Sequence, residues 1–162
     1  MGIALLCVCC GGSSHGSETK PDVSAFEGVW RTQRNTGTDS CAGDFDTDNG
    51  PGFDIRLRAG STSALEYLWL DSQDPKKASC IETFDVNGDE AVLQGTQSCS
   101  FRSIVDVDED GNPVQGLHVV EFVDVHLTVS DDTLEETAES HYKLDLTGEQ
   151  CESNYHVTYE RH

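Results

Sequence analysis

Basic side chains, long apolar runs and catalytic signatures are all scarce in this 162-residue chain. Lysine and arginine number 10 against 30 aspartates and glutamates, giving a formal net charge of -20. Such a surface repels phosphates, which excludes a general nucleic-acid partner and disfavours anionic membrane surfaces. The longest apolar run, Met1 to Cys10, is half of the roughly 20 residues that a membrane-spanning helix requires. Within residues 25–162 there is no Gly-x-Ser-x-Gly elbow, no His-Glu-x-x-His, no phosphate loop and no Gly-rich dinucleotide turn. The chain is therefore read as non-enzymatic. Adjacent acids such as Glu135 and Glu136 carry no weight as an acid/base pair in a chain with thirty of them.

What is present begins at the N-terminus. The apolar segment 1–10 gives way at once to a polar, Gly/Ser-rich tether over 11–24, and three of its residues are Cys7, Cys9 and Cys10. A signal of the lipoprotein type has this form: cleavage falls just before a cysteine, whose thiol is then acylated. Leu6 stands three residues before Cys9, whereas the tether follows Cys10, so lipidation is expected on Cys10 or Cys9. This places the remaining domain, 25–162, in the cell envelope, attached to a membrane by lipid alone and outside the cytoplasm. The outer membrane is favoured because Gly11, not Asp, follows Cys10; periplasmic or extracellular release is the alternative. A frayed apolar tail on a soluble protein is the competing reading.

Four further cysteines, Cys41, Cys80, Cys99 and Cys151, are an even number in an oxidising compartment, which predicts two disulfides. Four cysteines allow three pairings. Cys80 and Cys99 flank the turn Asn87-Gly88-Asp89-Glu90, and a hairpin centred there sets them opposite each other, leaving Cys41 for Cys151. A zinc site is the alternative, opposed by the absence of Cys-x-x-Cys among these four.

Period-two alternation dominates the body of the chain. Phe53, Ile55 and Leu57 alternate with Asp54, Arg56 and Arg58. Val119, Val123, Val125, Leu127 and Val129 fall on one face interrupted by Glu121; Ala138, Ser140, Tyr142, Leu144 and Leu146 fall on another; Tyr155, Val157, Tyr159 and Arg161 on a third. Turn signals at Asn49-Gly50-Pro51-Gly52, Asn87-Gly88, Asp110-Gly111-Asn112-Pro113 and Asp131-Asp132 separate them. The expectation is an all-β antiparallel meander of eight to nine strands, closed as a small barrel or folded as a β-sandwich. Only Asp132 to Ser140 reads equally as helix.

Phe26-Glu27-Gly28-Val29-Trp30 near the start and Arg161 near the finish resemble the calycin pattern, in particular that of bacterial lipocalin-like envelope lipoproteins. In that family a Gly-x-Trp on the first strand lays its indole across the closed end of a barrel, and an arginine from the last strand packs over it. The resemblance implies structural roles for Gly28, Trp30 and Arg161. It also implies a cup for a small apolar ligand, lined or floored by Trp30, Phe53, Ile55, Leu57, Tyr142, Tyr155 and Tyr159. No second lipocalin motif and no C-terminal helix accompany the match.

Two other constellations carry chemistry. Asp106-Val107-Asp108-Glu109-Asp110-Gly111 matches the opening of a calcium loop, with Asp106, Asp108 and Asp110 as candidate ligands, although Leu117 stands where a bidentate Glu belongs. An acidic hairpin tip explains the same residues. Among the histidines, His126 lies two from Asp124 and eight from His118, and His141 and His156 occupy outward registers of adjacent strands; all read as solvent-facing. No cofactor other than calcium is indicated. The second functional reading is accordingly an envelope interaction module whose acidic, calcium-binding surface meets a basic envelope protein.

Overall fold

The computed structural model describes residues 21–48, 53–61, 64–70, 77–107, 113–143 and 148–162, with side chains for all of these except 102–107 and 113–118. Among the described residues there are ten strands and no helix: β1 (Gly28–Asp39), β2 (Gly43–Asp48), β3 (Asp54–Ala59), β4 (Leu65–Leu70), β5 (Ala78–Asn87), β6 (Glu90–Leu93), β7 (Gln97–Val107), β8 (Pro113–Ser130), β9 (Thr133–Lys143) and β10 (Gln150–Arg161). Eight of them close antiparallel in the order β1-β3-β4-β5-β6-β8-β9-β10, with β10 returning to β1 from Trp30↔Arg161 to Asp39↔Ser153. The closed ring makes the fold a barrel and not a sandwich. Closure leaves no unpaired ring edge, which is how a β-rich chain avoids recruiting a second copy.

β2 and β7 stand outside the ring, and the register explains why. The first half of β1 pairs with β3, Gly28↔Leu57 to Arg31↔Asp54, while its second half pairs with β2, Arg34↔Asp48 to Asp39↔Gly43. β8 divides likewise: its end pairs with β6 and its beginning with β7. The long strands β1, β10, β9 and β8 thus run past the ring as a wall, and β2 and β7 flank that wall on either side.

Alternation places Leu134, Glu136, Ala138 and Ser140 inside and Glu135, Thr137 and Glu139 on the other face, so the segment that reads equally as helix is strand β9. On β8 one expected face is corrected. The register slips between Phe122 and Asp124, so that Val125, Leu127 and Val129 point inward but Val119 is 46% exposed, and Phe122 fills the interior instead. A bulge adds one residue and reverses which parity faces the core. Chain reversal between β8 and β9 is made at Asp131, which takes the left-handed conformation (φ 52°) that Asp tolerates better than most residues.

The end opposite the wall is sealed. A turn from Val23 to Phe26 buries both side chains, and the Trp30 indole donates to the Phe26 carbonyl at 2.8 Å. Arg161 lies 4.2 Å above the Trp30 ring and donates to the Glu27 and Ala25 carbonyls at 2.6 and 2.7 Å. Gly28, at φ +145°, passes so close that a β-carbon there would meet the Arg161 guanidinium at 3.1 Å. A cation over an indole contributes about 1 to 2 kcal/mol once shielded from water, and the two carbonyls fix its position.

Both disulfides are present, Cys41–Cys151 and Cys80–Cys99, each with Cα atoms 5.6 Å apart. The second forms by a route other than a simple hairpin. β6 ends at Leu93 and Cys80 pairs with Trp69 of β4, so the bond spans the seam where β5 and β7 diverge. Gln97 bridges the same seam, accepting from Thr83 N at 3.0 Å and donating to Thr83 O at 2.8 Å.

Candidate functional site

The wall and the ring beneath it line an open cavity of about 590 Å³. Its aromatic side chains come from seven strands or their ends: Phe45 of β2, Phe53 before β3, Trp69 of β4, Phe101 of β7, Phe122 of β8, Tyr142 of β9, and Tyr155 with Tyr159 of β10. Trp69 is central. Its ring lies 5.6 Å from Phe53, 5.4 Å from Tyr67, 5.5 Å from Phe101 and 5.9 Å from Phe122. The Phe53 and Tyr67 pairs are tilted, the Phe101 pair is edge-on and the Phe122 pair is stacked, and aromatic pairs in such arrangements add to area burial.

Directly behind these rings lie two glutamates. Glu136 and Glu82 are 1% and 2% exposed, and no ion pair to either occurs among the described residues. Glu136 Oε2 accepts from the Tyr159 hydroxyl at 2.7 Å and the Tyr67 hydroxyl at 3.0 Å, and those two hydroxyls are 3.0 Å apart. Glu82 Oε1 accepts from the Trp69 indole N–H at 2.6 Å. Burial raises the Glu136 carboxyl, while hydrogen bonds from Tyr159, Tyr67 and Tyr155 pull it back. Burial pushes Glu82 up to about 8 against the Trp69 bond, and the charge of Glu136 adds to the rise. A carboxyl in this setting is held neutral at pH 7 or must be compensated by a cation.

The upper wall is polar. Burial alone would raise Asp39, but hydrogen bonds from Tyr142, Ala42 and Cys41 hold it below the ordinary carboxylate range. The Tyr142 bond is 2.8 Å long, and burial together with that carboxylate pushes the Tyr142 hydroxyl up to about 12. Asn35 Oδ1, also in the lining, is buried without a hydrogen-bond partner. Asp39 is the one charged residue of the described lining; no lysine, arginine or histidine contributes.

Of the expected cup residues, Phe53, Tyr142, Tyr155 and Tyr159 line the cavity. Trp30, Ile55 and Leu57 do not; all three are buried in the sealed part of the barrel, Trp30 beneath Arg161. Trp69, Glu82 and Glu136 escaped the sequence reading although each carries a signal. Trp69 shares parity with Leu65 and Tyr67, Glu82 with Phe84, and Glu136 lies two residues before Ala138 on a face already recognised.

Cys9, Cys10, Asp108 and Asp110 fall outside the described residues, as does the side chain of Asp106. Cys80, Glu82 and Cys99 gather their ligand atoms within 4.8 Å, but the two sulfurs are bonded to each other, so the trio offers a single carboxylate. Three of the described histidines pair with acids, His126 with Asp124 at 3.0 Å, His141 with Glu139 at 3.1 Å and His156 with Glu135 at 3.8 Å, while His162 Nε2 lies 3.3 Å from Arg31 Nη2. His141 is opposite Glu152 and His156 opposite Thr137, so these two do not meet. The side chain of His118 lies outside the described residues. No protein-family model, curated protein or solved structure matches this chain.

Proposed function

We propose that this protein is a non-enzymatic binding protein of the cell envelope, carried by lipid on Cys10 or Cys9, that holds a small, largely apolar molecule in its barrel mouth. The observation that carries the reading is the cavity of about 590 Å³ walled by eight aromatic rings. A volume of this size suits a small ligand, and few polar groups in an aromatic wall are the usual composition of such sites. Trp69 sits in the wall while Trp30 lies under Arg161 at the sealed end, which gives the molecule a reporter and an internal reference.

Titration of the domain with neutral apolar probes should quench or shift the Trp69 emission saturably at one probe per chain, and Trp69→Phe should abolish the response while leaving Trp30. Flat titrations across a panel of fatty alcohols and dyes, together with an unchanged melting temperature, would refute the binding reading. The second reading, an acidic interaction module, draws on β2, where Asp44, Asp46 and Asp48 are all exposed. It predicts stabilisation by calcium or by a basic envelope protein, and indifference to every apolar probe.

A further inference from the structure

The buried carboxylates bear on the chemical class of the ligand. We infer that the cup takes an organic cation, a protonated amine carried on an alkyl or aromatic body, with its ammonium set among Tyr155, Tyr159 and Trp69 in front of Glu136 and Glu82. The inference rests on the reading of the cavity as a ligand site and narrows it.

Three observations converge. First, the rings nearest the carboxylates are those whose donors point away from the cavity: the Tyr159 hydroxyl and the Trp69 N–H are spent on Glu136 and Glu82. A ring whose proton is drawn towards a carboxylate is richer in electrons and a better face for a cation. Secondly, the polar atoms of the lining include two acceptors that suit a donor, the partnerless Asn35 Oδ1 and the Asp39 carboxylate, beside the Ser140 and Ser153 hydroxyls. An ammonium supplies N–H donors to these acceptors, whereas a carboxylate or phosphate would be repelled by Asp39. Thirdly, Glu136 and Glu82 have no cationic partner among the described residues, and the described lining offers none. The net charge of -20 draws cations towards the chain from a distance.

Arrival of the ammonium favours the charged carboxylate, so a carboxylic acid of the pair releases its proton to solvent as the cation binds. The groups facing Glu136 are Tyr67 from β4, Tyr155 and Tyr159 from β10, and Glu82 from β5. Those facing Glu82 are Trp69 from β4, the disulfide to β7, and Glu136 from β9. None of these carries a positive charge. Affinity for the cation should therefore rise with pH up to about 8.

The test compares decylamine, decanol and decanoate below their micellar concentrations, with one alkyl body and three head groups. Calorimetry in two buffers of different ionisation heat, at moderate salt, gives stoichiometry and protons released. Decylamine should bind one per chain, about tenfold or more tighter than decanol, with proton release, and decanoate should be weakest. Glu136→Gln should keep decanol binding and reduce the amine preference to within about threefold. Equal affinity for the three, or a preference for decanoate, overturns the inference while leaving the cup as a ligand site. Amine binding at several equivalents that disappears with salt is surface adsorption and overturns it as well. Saturable binding of none of the three defeats the ligand site itself.

Discussion

Replacing Glu82 by glutamine removes an ionisable group from the barrel interior while preserving its shape and the acceptor that Trp69 Nε1 requires. The expected effect is a stabilisation that grows with pH. Burial lifts the Glu82 carboxyl from 4.5 to about 8 in the folded chain, so between those values the folded state keeps a proton that the unfolded state has released. Folding stability from the neutral carboxyl is complete below pH 4.5 and is lost as pH climbs to about 8, at about 1.4 kcal/mol for each pH unit. From 4.5 to about 8 is about 3.5 pH units, so the loss approaches 5 kcal/mol. Glu82→Gln forfeits none of it. Urea denaturation of both proteins, with the ligand site empty, should show free energies within about 1 kcal/mol of each other at pH 4.5 and the variant ahead by about 3 to 5 kcal/mol at pH 9. Repulsion among surface acids also varies with pH, but it is shared by both proteins and cancels in the difference. A difference that stays constant from pH 5 to pH 9 would show that Glu82 ionises like an exposed acid and would refute the reasoning.

Other perturbations test the frame around the site. Gly37→Val drives a β-carbon into the Asn154 carbonyl oxygen and the Phe45 ring where β1 crosses β10, and should cost about 3 kcal/mol or prevent folding, read by circular dichroism and the melting temperature. Arg161→Ala strips the Trp30 ring of its cation and frees two carbonyls; a loss of about 2 to 4 kcal/mol is expected by denaturation, with ligand affinity at the opposite end unchanged. Removing Cys80–Cys99 as a double serine variant should lower stability by about 3 kcal/mol for its 19-residue separation, and removing Cys41–Cys151 by about 5 kcal/mol for its separation of 110. A smaller loss for the longer loop would show that strain or residual structure outweighs chain entropy.

The ring of strands was legible because burial on one face writes itself into alternation, as in Phe53-Ile55-Leu57 and Tyr155-Val157-Tyr159, and because the β5–β6 turn at Gly88 carries its own chemistry. The bulge at Val123 was not, since one inserted residue leaves no compositional mark while it reverses the meaning of every position before it. The site was harder still. Glu82 and Glu136 read as two acids in a surplus of acids, and only their parity with Phe84 and Leu134 distinguishes them from Glu135 or Glu139. That parity shows where a side chain points, but not what it meets: Trp69 and Tyr159 reach the carboxylates from neighbouring strands, 13 and 23 residues away, while Tyr67 reaches Glu136 across 69 residues. Cys80 and Cys99 illustrate the reverse case: the expected partners met, although by a seam and not across a hairpin.

The join between β1 and β10 also governs how the molecule comes into being. Its ladder runs from Trp30↔Arg161 to Asp39↔Ser153, so every rung connects positions separated by more than a hundred residues. Until β10 is available, β1 has β2 and β3 on one side and nothing on the other, and the half-made barrel presents an unprotected edge. Pairings this remote form slowly, on timescales on the order of milliseconds to seconds for non-local β topologies. The Cys41–Cys151 bond spans this same join, which makes the oxidant as much a participant in completing the molecule as the strands themselves. Charge is then protective in time as well as in place: while the edge stands open, the acids of Gly43–Asp48 lie beside it and hold other copies of the chain at a distance.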